Sequence, residues 1–330
     1  MVGMKNFWKK LPRPFFALAP MADVTDRAFR EMFVRYGRPG GPDVFWTEFV
    51  SADGLAHPDA REKLLRDLAY SERERPIVAQ IFGANPENIR AAAALCRELG
   101  FDGVDINMGC PDRSVERQGA GAALIKNPGA AREIIAAAKE GAEDIPVSVK
   151  TRVGYNKNEI REWVPALLEA GIAALTIHAR TRKEMSKVPA HWEDVRIAAN
   201  LRGEIAPETI IIGNGDVASV EDGRRRAAQY GCDGVMVGRA VFGNPWFFRR
   251  GGDARGIPPE EKLRALAEHT RLFEKEFGKE KNFAIMKKHF KAYVSGFDGA
   301  KELRMKLMEA NDAAEVERTI DAFLRNTVRP

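Results

Sequence analysis

Residues 15–19 read Phe15-Phe16-Ala17-Leu18-Ala19, and Pro20-Met21-Ala22-Asp23 follows directly. The run is too short for a helix and wholly apolar, so it reads as a strand covered on both faces. A doubly wound nucleotide-binding sheet would place a GxGxxG turn here, because only glycines let a pyrophosphate approach the backbone. The Pro-Met-Ala-Asp turn argues against that fold. Seven further short apolar runs follow, at 44–47, 77–82, 103–106, 147–150, 174–177, 209–212 and 234–237. Amphipathic stretches lie between most of them, and those at 86–99, 128–140 and 159–170 run up to Gly100, Gly141 and Gly171, which read as helix stops. Eight buried strands alternating with helices predict an α/β protein, a (β/α)8 TIM barrel.

The pattern changes after Trp246. Gly251-Gly252-Asp253-Ala254-Arg255-Gly256-Ile257-Pro258 is a linker composition, and the remainder reads as helices only, at 259–277, 283–294, 300–309 and 314–326. The expected organisation is a catalytic barrel over 1–250, a linker over 251–258 and a small C-terminal all-helical domain over 259–330.

Composition narrows the class. Three cysteines without a CxxC pair argue against a disulfide framework and a structural zinc site. No apolar h-region opens the chain and no apolar run is long enough to span a bilayer, so the expectation is a cytoplasmic protein with no membrane contact. The net charge of +5 agrees with a polyanionic partner without requiring one. No metal site is expected, and His57, His269 and His289 stand without partners at ligand spacing.

A barrel gathers its chemistry at the C-terminal ends of its strands. There the sequence places Pro20 and Met21, Gln80, Asn107-Met108-Gly109-Cys110-Pro111, Lys150 with Arg152, His178 with Arg180, Gly213-Asn214-Gly215-Asp216, and Gly238-Arg239. Glycine loops after strands seven and eight suit a phosphate, since their N–H groups can approach it closely and Arg239 can add a bidentate contact. Lys150 fits two chemistries: a Schiff base, as in an aldolase, or a cation beside the anionic edge of a reduced flavin, where Gln80 can bond the ring. The aldolase reading leaves Cys110 unexplained. An ordinary thiol keeps its proton near neutral pH and can give it to a carbon. Cys96, inside a helix, and Cys232, beside a turn, read as inert.

Taken together, the stretches Leu18–Asp26, Val78–Gly83, Asp105–Pro111, Val149–Arg152, His178–Thr181, Gly213–Asp216 and Gly238-Arg239 resemble the tRNA-dihydrouridine synthase family. Residues 296–304 are similar to its bacterial B-type branch. The resemblance implies a barrel carrying FMN, reduced by NADPH or NADH, that saturates the C5=C6 bond of a uridine in tRNA. No obligate protein partner is implied. It places Pro20, Met21 and Ala22 against the flavin ring, Gln80 and Lys150 at its polar edge, and His178 near its phosphate side. Asn214, Gly215, Asp216, Gly238 and Arg239 would hold the ribityl phosphate. Cys110 would donate the proton, and Asn107, Arg152 and Arg180 would approach the uracil or the RNA. The lysines of the tail, Lys279, Lys281, Lys287, Lys288 and Lys291, would meet phosphates without reading sequence.

This chain departs from the family pattern at Asp23, where glycine is frequent, and at Arg113-Ser114, where lysine is usual. It departs again in the 183–192 loop, where His191 replaces an aspartate. Two other readings compete: a flavin-dependent reductase of a free pyrimidine or other small enone-like substrate, and an RNA-binding protein that has lost catalysis. The basic tail disfavours the first, and retention of Cys110, Lys150 and the glycine loops disfavours the second.

Overall fold

The computed structural model describes residues 6–37, 41–249, 256–278 and 280–327. Most of the sequence expected as the linker, residues 251–255, lies outside the described residues, as does Lys279. Eight strands are present: β1 (Phe15–Leu18), β2 (Phe45–Ser51), β3 (Ile77–Phe82), β4 (Gly103–Met108), β5 (Val147–Arg152), β6 (Ala174–His178), β7 (Ile210–Asn214) and β8 (Gly234–Val237). The helices are α1 (Arg27–Tyr36), α2 (Ala52–Ala56), α3 (Pro58–Asp67), α4 (Pro86–Glu98), α5 (Arg113–Arg117), α6 (Pro128–Ala142) and α7 (Ile160–Glu169). They continue with α8 (Trp192–Ile205), α9 (Val220–Tyr230), α10 (Pro259–Phe277), α11 (Ala284–Tyr293), α12 (Ala300–Leu307) and α13 (Ala313–Thr327).

All strand pairs are parallel, in the order β1-β8-β7-β6-β5-β4-β3-β2. A single parallel bridge between Ala17 and Val44 joins the two ends, giving the TIM-barrel-like α/β fold expected. The helices start where side chains can cap them. Asn85 accepts from the N–H groups of Glu87 and Asn88 ahead of α4, and Asn127 from that of Ala130 ahead of α6. Proline stands at the first position of both helices, where its missing N–H costs nothing.

Gly141 does not end its helix, as the sequence suggested. α6 continues through it to Ala142, and a Cβ there would sit 2.0 Å from the Arg90 carbonyl oxygen. The glycine lets α6 and α4 pack backbone to backbone, a use that helix periodicity does not reveal. Glu143, at φ 50°, makes the actual exit.

The chain divides into two compact units: residues 1–22 with 42–238, and residues 23–41 with 239–330. The expected boundary near 250 and the expected purely C-terminal helical domain are thus drawn differently, because α1 joins the later helices. In this second unit Met32 of α1 shares a core with Leu266, Phe273, Phe290, Tyr293, Val316 and Ile320. His269 and His289 are fully buried there beside Phe29. Burial holds both imidazoles uncharged, His289 down to about 3, so they act as core aromatics. Among the described residues no helix is long and apolar enough to cross a membrane.

Within the first unit the barrel interior is apolar at one end and polar at the other. Trp8 packs on Phe15 and Trp46, and Val78, Ala174, Ile210, Ile212 and Met236 share that core. The polar end is the site.

Candidate active site

Strand register builds the site. Gln80 lies beside Asp105, Ser148 beside Asp105, Lys150 beside Asn107, His178 beside Arg152 and Asn214 beside His178. Side chains alternate along a strand, so residues two apart share a face. These residues therefore lie on the same inward face as Val78, Ile212 and Met236, one or two steps nearer the strand ends. Five strands run one or more residues beyond the apolar runs visible in sequence, and three of them put Asn107, Arg152 and Asn214 inside strands rather than in the loops after them. Strand positions hold side chains more rigidly than loops.

Gln80 is fully buried; its Nε2 donates to Asp105 Oδ2 at 2.6 Å, and its Oε1 accepts from Asn107 Nδ2 at 3.0 Å. Asn107 Oδ1 accepts from the N–H groups of Gly109 at 3.1 Å and Cys110 at 2.9 Å. Arg152 Nε donates to the Gly109 carbonyl at 2.8 Å, and its Nη1 to the carbonyls of Thr181 and Met185. From the other side the Ala122 N–H donates to the Cys110 carbonyl at 3.0 Å. Gly121, at φ +61°, passes so close that a Cβ would stand 2.8 Å from that carbonyl oxygen. The turn bearing Cys110 is thus held by Asn107 of β4, Arg152 of β5 and the Gly121-Ala122 segment.

Cys110 is half-buried and packs against the buried cluster of Phe82, Val115 and Ala120, as do Phe49 and Ala84. Burial, and after it the Asp112 carboxylate, pushes the thiol above its usual range, against the Asp112 backbone N–H and then the charges of Arg152 and Lys150. It keeps its proton at neutral pH. Cys96 and Cys232 are pushed up to about 12 and about 11 by deeper burial. Lys150 is partly exposed on the inner face. Burial and then Arg152 lower its ammonium to about 8, with Asp105 and Cys110 opposing. Arg152 is itself lowered to about 10, chiefly by burial.

A second cluster spans the ends of β6 and β7. Arg180, 2 % exposed, donates from Nε to the Val188 carbonyl at 2.6 Å, from Nη1 to His178 Nε2 at 3.1 Å, and from Nη2 to the Asp216 carboxylate. Asp216 also accepts from the Ala190 N–H at 2.9 Å. Asn214 Nδ2 donates to the Met236 carbonyl, and the Trp192 indole to the Gly215 carbonyl, both at 2.8 Å. Gly215 and Asp216, at φ 129° and 51°, turn the chain back on itself after β7. At the end of β8 a Cβ on Gly238 would lie 3.7 Å from the Met21 sulfur. Pro20 is buried, Met21 half-buried and Ala22 exposed. Arg239 is exposed and follows Gly238 in sequence.

Arg152 and Arg180, expected to approach the uracil or the RNA, have Nε and Nη1 of Arg152 on backbone carbonyls and the Arg180 guanidinium on Val188, His178 and Asp216. The 183–192 loop is held by Glu184, which accepts from the Thr181 N–H at 2.7 Å and pairs with His191 at 3.0 Å. So His191, the unusual residue, keeps a carboxylate partner within its own loop. Sequence reasoning passed over Asp105, Ser148 and Gly121. Asp105 carried a signal, an acidic residue inside an otherwise apolar strand run, whereas the role of Gly121 follows only from the close approach.

The dihydrouridine synthase (Dus) family model matches residues 17–328. A probable tRNA-dihydrouridine synthase 2 of Bacillus subtilis (strain 168) is 45 % identical over 324 residues, 97 % of each chain. A probable tRNA-dihydrouridine synthase of Staphylococcus aureus (strain COL) is 45 % identical over 321 residues, 97 % of this chain and 96 % of that one. Among solved structures, morphinone reductase in complex with tetrahydroNAD matches at 15 % identity and TM-score 0.51, over 79 % of this chain and 94 % of that one, a likeness of fold alone. Barrel, motif order and end-to-end similarity agree: this chain belongs to the dihydrouridine synthase family.

Proposed function

We propose that the protein is an FMN- and NADPH-dependent (or NADH-dependent) oxidoreductase that reduces uridine to dihydrouridine in tRNA. The observation that carries this reading is the Cys110 thiol, kept protonated by its apolar packing and fixed beside Lys150 and Arg152. Family membership and relatives named for this reaction support the substrate.

The donor set fits FMN. Lys150 offers a partly exposed cation and Gln80 an anchored amide for the polar edge of the ring, with Pro20, Met21 and Ala22 as its apolar neighbours. Asn214, Gly215, Asp216 and Gly238, with His178, provide the turned backbone and small residues that a phosphate end requires. Asp216 does not repel that phosphate through an unpaired charge, because its carboxylate is tied to Arg180 and the Ala190 N–H. When bound, FMN supplies the hydride that uridine C6 receives.

Cys110 delivers the proton to C5. Asn107 and Arg152 hold its turn, so the thiol meets an entering base in a fixed position; such a base must first leave its stack. The lysines of α11 and its approach, Lys281, Lys287, Lys288 and Lys291, serve phosphates of the RNA. Lys288 and Lys291 are exposed on the side of α11 away from buried Met286 and Phe290.

The test is reduction of tRNA lacking dihydrouridine by the purified protein with FMN and NADPH, read as the two-mass-unit gain at uridine. Formation of dihydrouridine is expected. Stable FMN binding with no product from tRNA would overturn the substrate, and failure to bind FMN would overturn the chemistry.

A further inference from the structure

The hydrogen bonds from Cys110 to the barrel interior all point one way. The Cys110 N–H donates to Asn107 Oδ1, Asn107 Nδ2 to Gln80 Oε1, and Gln80 Nε2 to Asp105 Oδ2. The other carboxylate oxygen, Oδ1, accepts from Ser148 Oγ at 2.6 Å. An amide side chain can turn over and exchange its O and N, so neither Asn107 nor Gln80 carries a direction by itself. The ends do. A backbone N–H can only donate, and an ionised carboxylate can only accept.

We propose that Asp105 is a positioning residue for the reaction: as an acceptor at the root of the chain it fixes the orientation of the Gln80 and Asn107 amides, and through them the Cys110 turn. The inference rests on the proposed role of Cys110 and adds Asp105 to it. Asp105 is fully buried, where an unneeded carboxylate would be costly. Burial pushes it up to about 6, against the hydrogen bonds from Gln80 and Ser148 and the charge of Lys150, so it is ionised at neutral pH. Removing the acceptor, as in Asp105→Leu, leaves the Gln80 NH2 without a partner in a buried place, so the two amides are no longer held in one orientation. Turning Gln80 over then sets donor against donor at Asn107, and turning Asn107 over presents NH2 to the Cys110 N–H.

The test compares Asp105→Leu with Ser148→Ala in the full-length protein. Ser148→Ala also removes a buried hydrogen bond to Asp105 but leaves the acceptor for Gln80 in place. The first readout is the rate of Cys110 alkylation by iodoacetamide at pH 8, mapped by peptide mass; it needs neither FMN nor tRNA. Asp105→Leu is expected to raise that rate roughly fivefold, the population change that one lost hydrogen bond brings. Ser148→Ala is expected to leave it unchanged. The second readout is the steady-state reaction, where Asp105→Leu should lower kcat roughly tenfold through misplacement of the thiol, with KM for tRNA unmoved. Folded Asp105→Leu with wild-type alkylation overturns the proposal, as does an equal rise in both variants. If Asp105→Leu does not fold, Gln80→Met cuts the chain at its middle, and wild-type alkylation there overturns it equally. An inactive wild type would count against the uridine reading while leaving the alkylation comparison to decide this one.

Discussion

Arg180 and Asp216 form an ion pair across the ends of β6 and β7, with the guanidinium side chain 2 % exposed and the carboxylate side chain 32 % exposed. The pair does more than neutralise charge. The same guanidinium holds His178 Nε2 and the Val188 carbonyl, so one residue ties a strand end to the two loops beside it. Because Arg180 donates to Nε2, the neutral imidazole carries its own proton on Nδ1.

Arg180→Met should therefore cost stability out of proportion to one surface contact. Removing one partner of a buried pair leaves the other uncompensated, at about 3–5 kcal/mol. Water reaching Asp216 places the expected loss near the lower end, about 3 kcal/mol. Urea unfolding at pH 7 checks this. Asp216→Asn, which keeps an acceptor for Arg180, should lose less. Equal, negligible losses in both variants would show that the pair is not holding the loops.

Cys110→Ala should separate chemistry from cofactor. If Cys110 gives the proton to C5, its loss lowers dihydrouridine formation by roughly 10²–10⁴-fold, the usual scale for a general acid. Bound flavin, measured by absorbance, should stay at the wild-type level, because no phosphate-side residue has changed. Full activity in Cys110→Ala would move the proton donor elsewhere.

Gly121→Ala tests the rear support of the same turn. At φ +61° an alanine is strained, and its Cβ would stand 2.8 Å from both the Cys110 carbonyl oxygen and a Val115 methyl. The backbone strain alone is worth about 1–3 kcal/mol. A lowered melting temperature together with reduced uridine turnover is expected. Lowered stability with unchanged turnover would show that the turn tolerates displacement.

How much of this was legible in the sequence depends on which physical signal each residue carries. The strands were readable because both faces are buried, which leaves continuous apolar runs such as Phe15–Leu18. Their ends were less so. β5 and β6 keep their pairing through Thr151-Arg152 and His178, polar residues that an apolar-run reading stops before. The site residues were found as polar punctuation at strand ends, but their roles depend on partners far along the chain. Nothing near Arg152 in sequence says that it donates to Gly109, Thr181 and Met185. Likewise α1 carries no mark that it packs with α10. Such pairings arise from closure of the fold and have no local signature.

Lys150 sets the alkaline limit. Burial and Arg152 disfavour its charged form, so its folded value, about 8, lies below the ordinary lysine value of 10.5. Between those values the unfolded chain binds the proton and the folded chain does not, so this group adds stability as pH rises from about 8 toward 10.5. Function runs the other way. The cation that would face the flavin edge is lost as pH rises through about 8, while the Cys110 thiol, raised above its ordinary value, still holds its proton. FMN affinity of the cofactor-free protein should therefore fall on the alkaline side of pH 8. Lys150→Met should abolish that dependence and weaken binding at pH 7 by roughly 10–100-fold, the worth of one charged hydrogen bond. Fluorescence titration of FMN between pH 6.5 and 9.5 measures both. A flat profile in the wild type would mean that Lys150 does not meet the cofactor. A fall retained in Lys150→Met would assign the alkaline limb to another group.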